Sequence, residues 1–169
     1  MIISKATLED ISQLDKLINN AYRGEFSKKG WTTEADLLDG IRTDKESLEK
    51  LIDKPGAVFL KYCNEENILQ GCVFLEKNNN KMYVGMLTVS PTEQAKGIGK
   101  KLLFAAENYA AEQKCSLLEM SVISIRSELI GWYQRKGYFK TGETKPFPSD
   151  IKFGIPKQPL EFMVMQKEI

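Results

Sequence analysis

Histidine is absent from the 169 residues. That single absence excludes a Ser-His-Asp triad, an HExxH metal site and a histidine general base. An enzyme built on this chain must work with carboxylates, Tyr, Lys, Cys, backbone dipoles or a cofactor. Cysteine is scarce, with Cys63, Cys72 and Cys115 far apart. An odd count without CxxC spacing argues against both a disulfide framework and a zinc knuckle. The three read as reduced, half-buried small hydrophobes of a cytoplasmic protein. Net charge is almost missing, at +1, so no global field favours a nucleic acid or a membrane surface. No apolar run approaches the ~18 residues of a membrane span. The start, MIISKATLED, lacks the basic n-region and long apolar core of a signal peptide. Internal repeats, low-complexity runs and domain linkers are also lacking. The remaining composition, 42% hydrophobic and 28% charged, fits one globular domain over 1–169 with a real core.

Taken in order, residues 1–5 read as a first strand. Thr7 is a helix N-cap, and Leu8, Ile11, Leu14, Ile18 and Ala21 recur at helical spacing. The stretch 22–33, YRGEFSKKGWTT, has no clean period and is rich in aromatic and charged side chains. Phe26 and Trp31 there either cap the core or carry recognition. Thr32 or Thr33 caps a short helix ended by Gly40, and Thr43-Asp-Lys-Glu46 is a capping box for another through Ile52. Strands over 57–62, 68–76 and 81–89 form an antiparallel meander, with asparagine turns that tolerate left-handed geometry. A helix follows Gly97, then a strand over 116–122, a helix over 127–136 closed by Gly137, and a strand beginning at 138–141. Residues 143–159 carry Pro146, Pro148, Pro156 and Pro159 and read as a long rigid loop before a last strand over 160–166. The class is mixed α/β (α+β): one largely antiparallel central sheet of about seven strands, helices on both faces.

The chain is organised around 82–99, MYVGMLTVSPTEQAKGIG. An apolar strand is stopped at Ser90-Pro91 because proline cannot donate to a ladder. Gly97 and Gly99 then let the backbone turn its N–H groups outward, with the positive end of a helix dipole behind them. A strand, a glycine loop and a helix N-terminus make a seat for phosphate oxygens. The familiar rivals fail at required positions. A dinucleotide fingerprint starting at Gly97 needs glycine where Leu102 stands, and a Walker A loop needs glycine at Gln94 and Ser or Thr at Lys101.

Gln94-x-x-Gly97-x-Gly99 after Leu87-Thr-Val89-x-Pro91 resembles the acetyl-CoA signature of the GNAT superfamily of N-acetyltransferases. About 30 residues on, a crossover unit away, Arg126-Ser-Glu-Leu129-x-x-Trp132-Tyr133-x-x-x-Gly137-Tyr138 resembles the family's next helix and its Tyr-x-x-x-Gly-aromatic motif. The order of elements agrees over the whole chain, and the tail after Thr141 resembles a subgroup of bacterial members. The resemblance implies an acyltransferase that moves the acetyl group of acetyl-CoA to a primary amine of a small molecule or peptide, without metal. It further implies that the strand backbone at Leu87, Thr88 and Val89 pairs with the pantetheine arm in a gap between strands. The pyrophosphate would meet the amides of Gln94, Ala95, Lys96, Gly97, Ile98 and Gly99, with Lys96, Lys100 and Lys101 adding charge. Gly85 either marks a bulge or is a tolerated strand glycine. Where the family often has asparagine, Arg126 reaches a CoA phosphate or faces the substrate.

Amide formation from a thioester needs a neutral amine, a carbonyl nearby and a way for the thiolate to leave. Val89 N–H is placed to polarise the carbonyl. Tyr133 matches the family tyrosine that protonates the sulfur, although its spacing alone also fits a core aromatic on an amphipathic helix. Glu119, in an apolar strand where burial raises a carboxylate pKa, and Glu25, in the irregular loop, are candidate bases. Equally, Glu119 is an exposed strand residue or Glu25 binds a cationic acceptor. Tyr22, Arg23 and Trp31 are expected at the acceptor pocket, Arg23 suggesting an acceptor with a carboxylate. No nucleic acid or membrane partner is expected, and the chain is read as a monomer or homodimer. The competing functions are a non-catalytic acyl-CoA-binding module and, from another class, an ATP- or NAD-binding domain.

Overall fold

The computed structural model describes residues 2–169, so Met1, expected in the first strand, lies outside the described residues. The central sheet has seven strands in the order β1-β3-β4-β5-β6-β9-β7. They are β1 (Ile2–Lys5), β3 (Ala57–Cys63), β4 (Leu69–Asn78), β5 (Lys81–Val89), β6 (Leu117–Ile123), β7 (Phe139–Pro146) and β9 (Glu161–Glu168). Every neighbouring pair is antiparallel except β5 and β6. That parallel pair is joined through α4 (Ile98–Glu112), the crossover a parallel connection requires.

Period-two alternation sorts the side chains of the middle strands to two faces. On one face Phe59, Cys72 and Phe74 pack against Leu14 and Ile18 of α1 (Ile11–Tyr22) and Leu48 of α3 (Lys45–Ile52). On the other face Val58, Leu60, Val73 and Leu75 pack against Ile98, Leu102 and Ala106 of α4, with Ile130 and Tyr133 of α5 (Ser127–Arg135) in the same cluster. The buried face of α4 is Ile98, Leu102, Leu103, Ala106 and Ala110. Cys63, Cys72 and Cys115 are free and buried, and burial pushes the Cys72 thiol up to about 12, far from a reactive thiolate. Among the described residues no helix is long and apolar enough to cross a membrane.

Four local expectations are corrected. Residues 34–39 are not a helix. Leu37 and Leu38 N–H both donate to Glu34 C=O, giving one turn, and the chain then opens into β2 (Leu38–Asp39), paired with β8 (Ile155–Pro156). The segment 22–33, expected without regular structure, holds the short helix α2 (Gly24–Ser27). The cap of α3 is Asp44, whose carboxylate accepts Ser47 N–H at 2.8 Å, while Thr43 is buried and its N–H donates to Asn19 Oδ1. The expected loop from 143 begins as strand, because β7 runs on through Pro146. β7 is an edge strand, where a proline leaves no ladder bond broken.

Candidate active site

The site begins where the sheet fails to close. β5 and β6 pair only from Lys81–Leu117 to Tyr83–Glu119, and beyond that point they part. A bulge helps to aim β5 into this gap. Between Gly85 and Thr88, β5 spends one residue more than β4 does between Phe74 and Cys72. The extra residue brings Met86 to a φ of +47°, and Thr88 Oγ1 clamps the bulge by donating to Met86 C=O at 2.8 Å. Gly85 borders the bulge and leaves room for the Tyr83 ring, which a Cβ there would meet at 2.8 Å.

Ser90 N–H donates to Gln70 C=O at 2.8 Å, which turns Ser90 and Thr88 toward β4. By alternation Leu87 and Val89 present their main-chain groups to the gap. Their two carbonyls are already occupied. Tyr22 Oη donates to Leu87 C=O at 3.1 Å, and Gln94 Nε2 donates to Val89 C=O at 3.2 Å. The groups left facing the gap are N–H donors.

The loop after β5 alternates hands. Ala95 has a φ of +62° and Gly97 a φ of +85°, so successive N–H groups converge on one concavity. The first intrahelical bond of α4 runs from Lys101 N–H to Gly97 C=O. Ile98, Gly99 and Lys100 N–H therefore have no helical acceptor and join that concavity at the positive end of a 15-residue helix. The left-handed turn at Ala95, a residue with a Cβ, has no sequence signal. At Gly97 a Cβ would touch nothing within 4 Å, so Gly97→Ala tests conformation alone. Forcing alanine left-handed costs about 1–2 kcal/mol. Titration calorimetry should show acetyl-CoA binding weakened about tenfold, since ~1.4 kcal/mol is a factor of ten.

The concavity opens into a first cleft of about 270 Å³, walled by Val89 and Gly97 to Lys100 on one side and by Trp31, Trp132 and Lys136 on the other. Lys100, Lys136 and Arg126 are the cations in its lining. Lys96 turns away to Glu93 at 3.0 Å, and Lys101 lies over the Tyr62 ring at 5.7 Å. Trp31 belongs to this cleft. Its N–H donates to Gln94 Oε1 at 2.9 Å, and its ring lies 6.4 Å from that of Trp132. Gly30 is packed against the Gln94 amide, which would have to shift to admit a Cβ there. Phe26 is exposed, with Lys29 over its ring.

A second cleft of about 580 Å³ lies on the other side of the gap, between the β5 bulge, β6 and the proline-rich segment 145–148. Tyr22, Leu87, Arg126, Leu129 and Tyr133 line both clefts. Tyr133 and Tyr22 are the two phenols at this junction, and Tyr133 is held by aromatic packing. Its ring is clasped edge-on by Trp132 at 5.2 Å and Tyr138 at 5.7 Å, and its hydroxyl takes no protein hydrogen bond among the described residues. Burial raises its pKa well above that of an ordinary phenol, so it stays protonated at any working pH. Burial also pushes Tyr22 up to about 12.

Arg126 lines both clefts, and its Nε has no hydrogen-bond partner among the described residues. It is buried, pairs with Glu34 at 3.3 Å and donates to Thr32 Oγ1 at 2.7 Å. Arg23 pairs with the same carboxylate at 3.2 Å and donates to Ile41 and Phe153 C=O. Both arginines are thus occupied inside the protein. Glu34, Thr32, Arg42 and Lys136 carry no local sequence signal for a site, because each is placed by partners far along the chain. Neither candidate base is brought to the junction. Glu25 is 89% exposed and paired with Lys28. Glu119 is held by Gln166 at 2.6 Å and Lys81 at 3.2 Å. Burial alone would raise Glu119, but these two partners outweigh it and hold the carboxyl below its usual range, the reverse of the sequence expectation.

The comparisons agree with this geometry. A family model described as an acetyltransferase (GNAT) domain matches residues 25–150. Among curated proteins none matches the chain in sequence. Among solved structures, the ribosomal-protein-alanine N-acetyltransferase from Brucella melitensis is similar, with a TM-score of 0.73 at 19% identity over 100% of both chains. The PaiA N-acetyltransferase from Thermoplasma acidophilum in complex with coenzyme A gives 0.69 at 20% identity, over 99% of this chain and 98% of that one. An IAA acetyltransferase from Bacillus cereus gives 0.68 at 17%, over 99% of both. At these identities the likeness is one of fold. The family match, spanning most of a chain that carries the glycine loop and the open sheet, makes this protein an acyltransferase of the GNAT acetyltransferase family.

Proposed function

We propose that residues 1–169 form one N-acetyltransferase domain that moves the acetyl group of acetyl-CoA directly to a primary amine of a small molecule or peptide, in a ternary complex. The observation that carries this reading is Tyr133, buried in the wall shared by the two clefts. The first cleft takes the donor: diphosphate on the amides from Gln94 to Gly99, pantetheine along Leu87 to Val89. The neighbour whose structure holds coenzyme A supports that choice of donor. The second cleft takes the acceptor. The three buried, free cysteines support a cytoplasmic setting.

In the transfer, the acceptor nitrogen bonds to the thioester carbon while Leu87 and Val89 N–H receive the developing oxyanion. The C–S bond then breaks, the thiolate takes the Tyr133 proton, and the amine proton leaves through water to restore the phenol. No covalent enzyme intermediate is required, and the pushed-up Cys72 thiol stands outside both clefts. Thiol release from acetyl-CoA over a panel of amines tests the reading. Initial rates at varied donor and acceptor should give intersecting lines, and calorimetry should show acetyl-CoA and CoA bound but not ATP or NAD. Acetyl-CoA binding without thiol release from any amine would instead support a non-catalytic acyl-CoA-binding module.

A further inference from the structure

The charge of the second cleft does not suit an ordinary polycationic amine. Arg23, Arg42, Arg126 and Lys145 line it against only Glu34 and Asp150. Glu34 is consumed between two buried arginines. Asp150 is exposed, with its carboxylate accepting Lys152 N–H at 2.9 Å. Asp150 alone is left to receive an ammonium group, and four cations against two carboxylates leave an excess of positive charge facing whatever enters.

Arg42 differs from the other two lining arginines. Arg23 and Arg126 are spent on Glu34 and on internal oxygens, whereas Arg42 has no ion pair among the described residues. It is half-buried, and its guanidinium lies over the Tyr22 ring at 5.3 Å. The hydroxyl of that same Tyr22 reaches Leu87 C=O. One tyrosine side chain therefore spans from the unpaired guanidinium to the strand edge where the acyl carbon is held. Burial raises both Tyr22 and Tyr83, and the Arg42 charge opposes the rise at each, as expected of a cation lying between them. The remaining wall is apolar and aromatic: Tyr83, Met86, Met120, Phe147, Phe153 and Phe162.

We propose that the acceptor is an amino acid with an apolar side chain, seated with its carboxylate on the Arg42 guanidinium and its amine toward Leu87. This rests on the N-acetyltransferase reading above. A planar guanidinium binds a carboxylate in bidentate fashion. The same positive surroundings disfavour the ammonium form of the acceptor and so supply neutral amine where no carboxylate base is placed. Polyamines meet a net repulsion there.

The test pairs phenylalanine, leucine and methionine each with its amide, and adds phenethylamine and spermidine, in the thiol-release assay with the full chain. At least one free acid should exceed its amide in kcat/KM by more than tenfold. Arg42→Gln should lower kcat/KM for that acid by more than tenfold, chiefly through KM, lower that for the amide far less, and leave acetyl-CoA binding unchanged by calorimetry. Arg42→Lys should retain part of the preference. Equal or better turnover of the amides or of spermidine, or an Arg42→Gln variant that loses acid and amide alike, would overturn the proposal while leaving an acetyltransferase. If no amine releases thiol, the acetyltransferase reading falls. The cleft is then judged by binding of N-acetyl-phenylalanine against its amide to the CoA complex, where indifference to the carboxylate would sink it.

Discussion

Replacing Tyr133 with phenylalanine should lower kcat by about 10²–10³-fold, the usual worth of a positioned general acid, and leave the Kd for acetyl-CoA unchanged. The ring of Tyr133 is fixed by Trp132 and Tyr138, and phenylalanine keeps that packing. Only the hydroxyl, which no protein group holds, is lost. The pH profile carries a second reading. An acid works while protonated, and burial raises this phenol, so its loss of activity is displaced to higher pH. The rate should rise with pH as the amine deprotonates and show no descending limb at pH ~10, where an exposed phenol would titrate. A fall centred at ~10 in the wild type, missing in Tyr133→Phe, would mean that the tyrosine is not desolvated when it acts. Undiminished turnover in Tyr133→Phe would remove it from the mechanism.

The largest loss of stability should follow Glu34→Ala. Glu34, Arg23 and Arg126 are 6%, 8% and 6% exposed, and the one carboxylate is the shared partner of both guanidiniums. Removing it leaves two buried cations facing each other, a change that costs about 3–5 kcal/mol when a buried pair loses one partner. For a domain of this size that lowers Tm by about 10 °C, measurable by thermal unfolding without ligand. Arg126→Ala should cost less, because Glu34 keeps Arg23. If Glu34→Ala proved no worse than Arg126→Ala, water rather than Glu34 would be solvating the arginines.

Elements held by local rules were legible in the sequence. The meander over 57–89 shows as short apolar runs separated by asparagine turns, and Ile98, Leu102 and Ala106, one helical turn apart, lie on the buried face of α4. The phosphate loop was legible because its glycine spacing is a local matter of backbone hand. What long-range pairing decides was not. Residues 34–39 carry a helical pattern, but Glu34 must face Arg23 and Arg126, and Leu38 is spent on a strand with Pro156. Glu119 sits in an apolar run that suggests a raised pKa, yet Lys81 and Gln166, 38 and 47 residues away, reverse it. The prolines after Glu143 mark a loop by composition, although Pro146 ends an edge strand. The second cleft draws its walls from segments scattered between Tyr22 and Phe162, so no window of sequence contains it.

The early parting of β5 and β6 has a mechanical consequence. The sheet is two half-sheets, β1-β3-β4-β5 and β6-β9-β7, sewn together along three residue pairs at one end. Under the proposed function, a donor lying in the seam would supply the missing stitches, so the reactant would double as a rib of the scaffold. Each turnover would then remove and restore part of the protein's own framework, and the rigidity of the molecule would follow its occupancy.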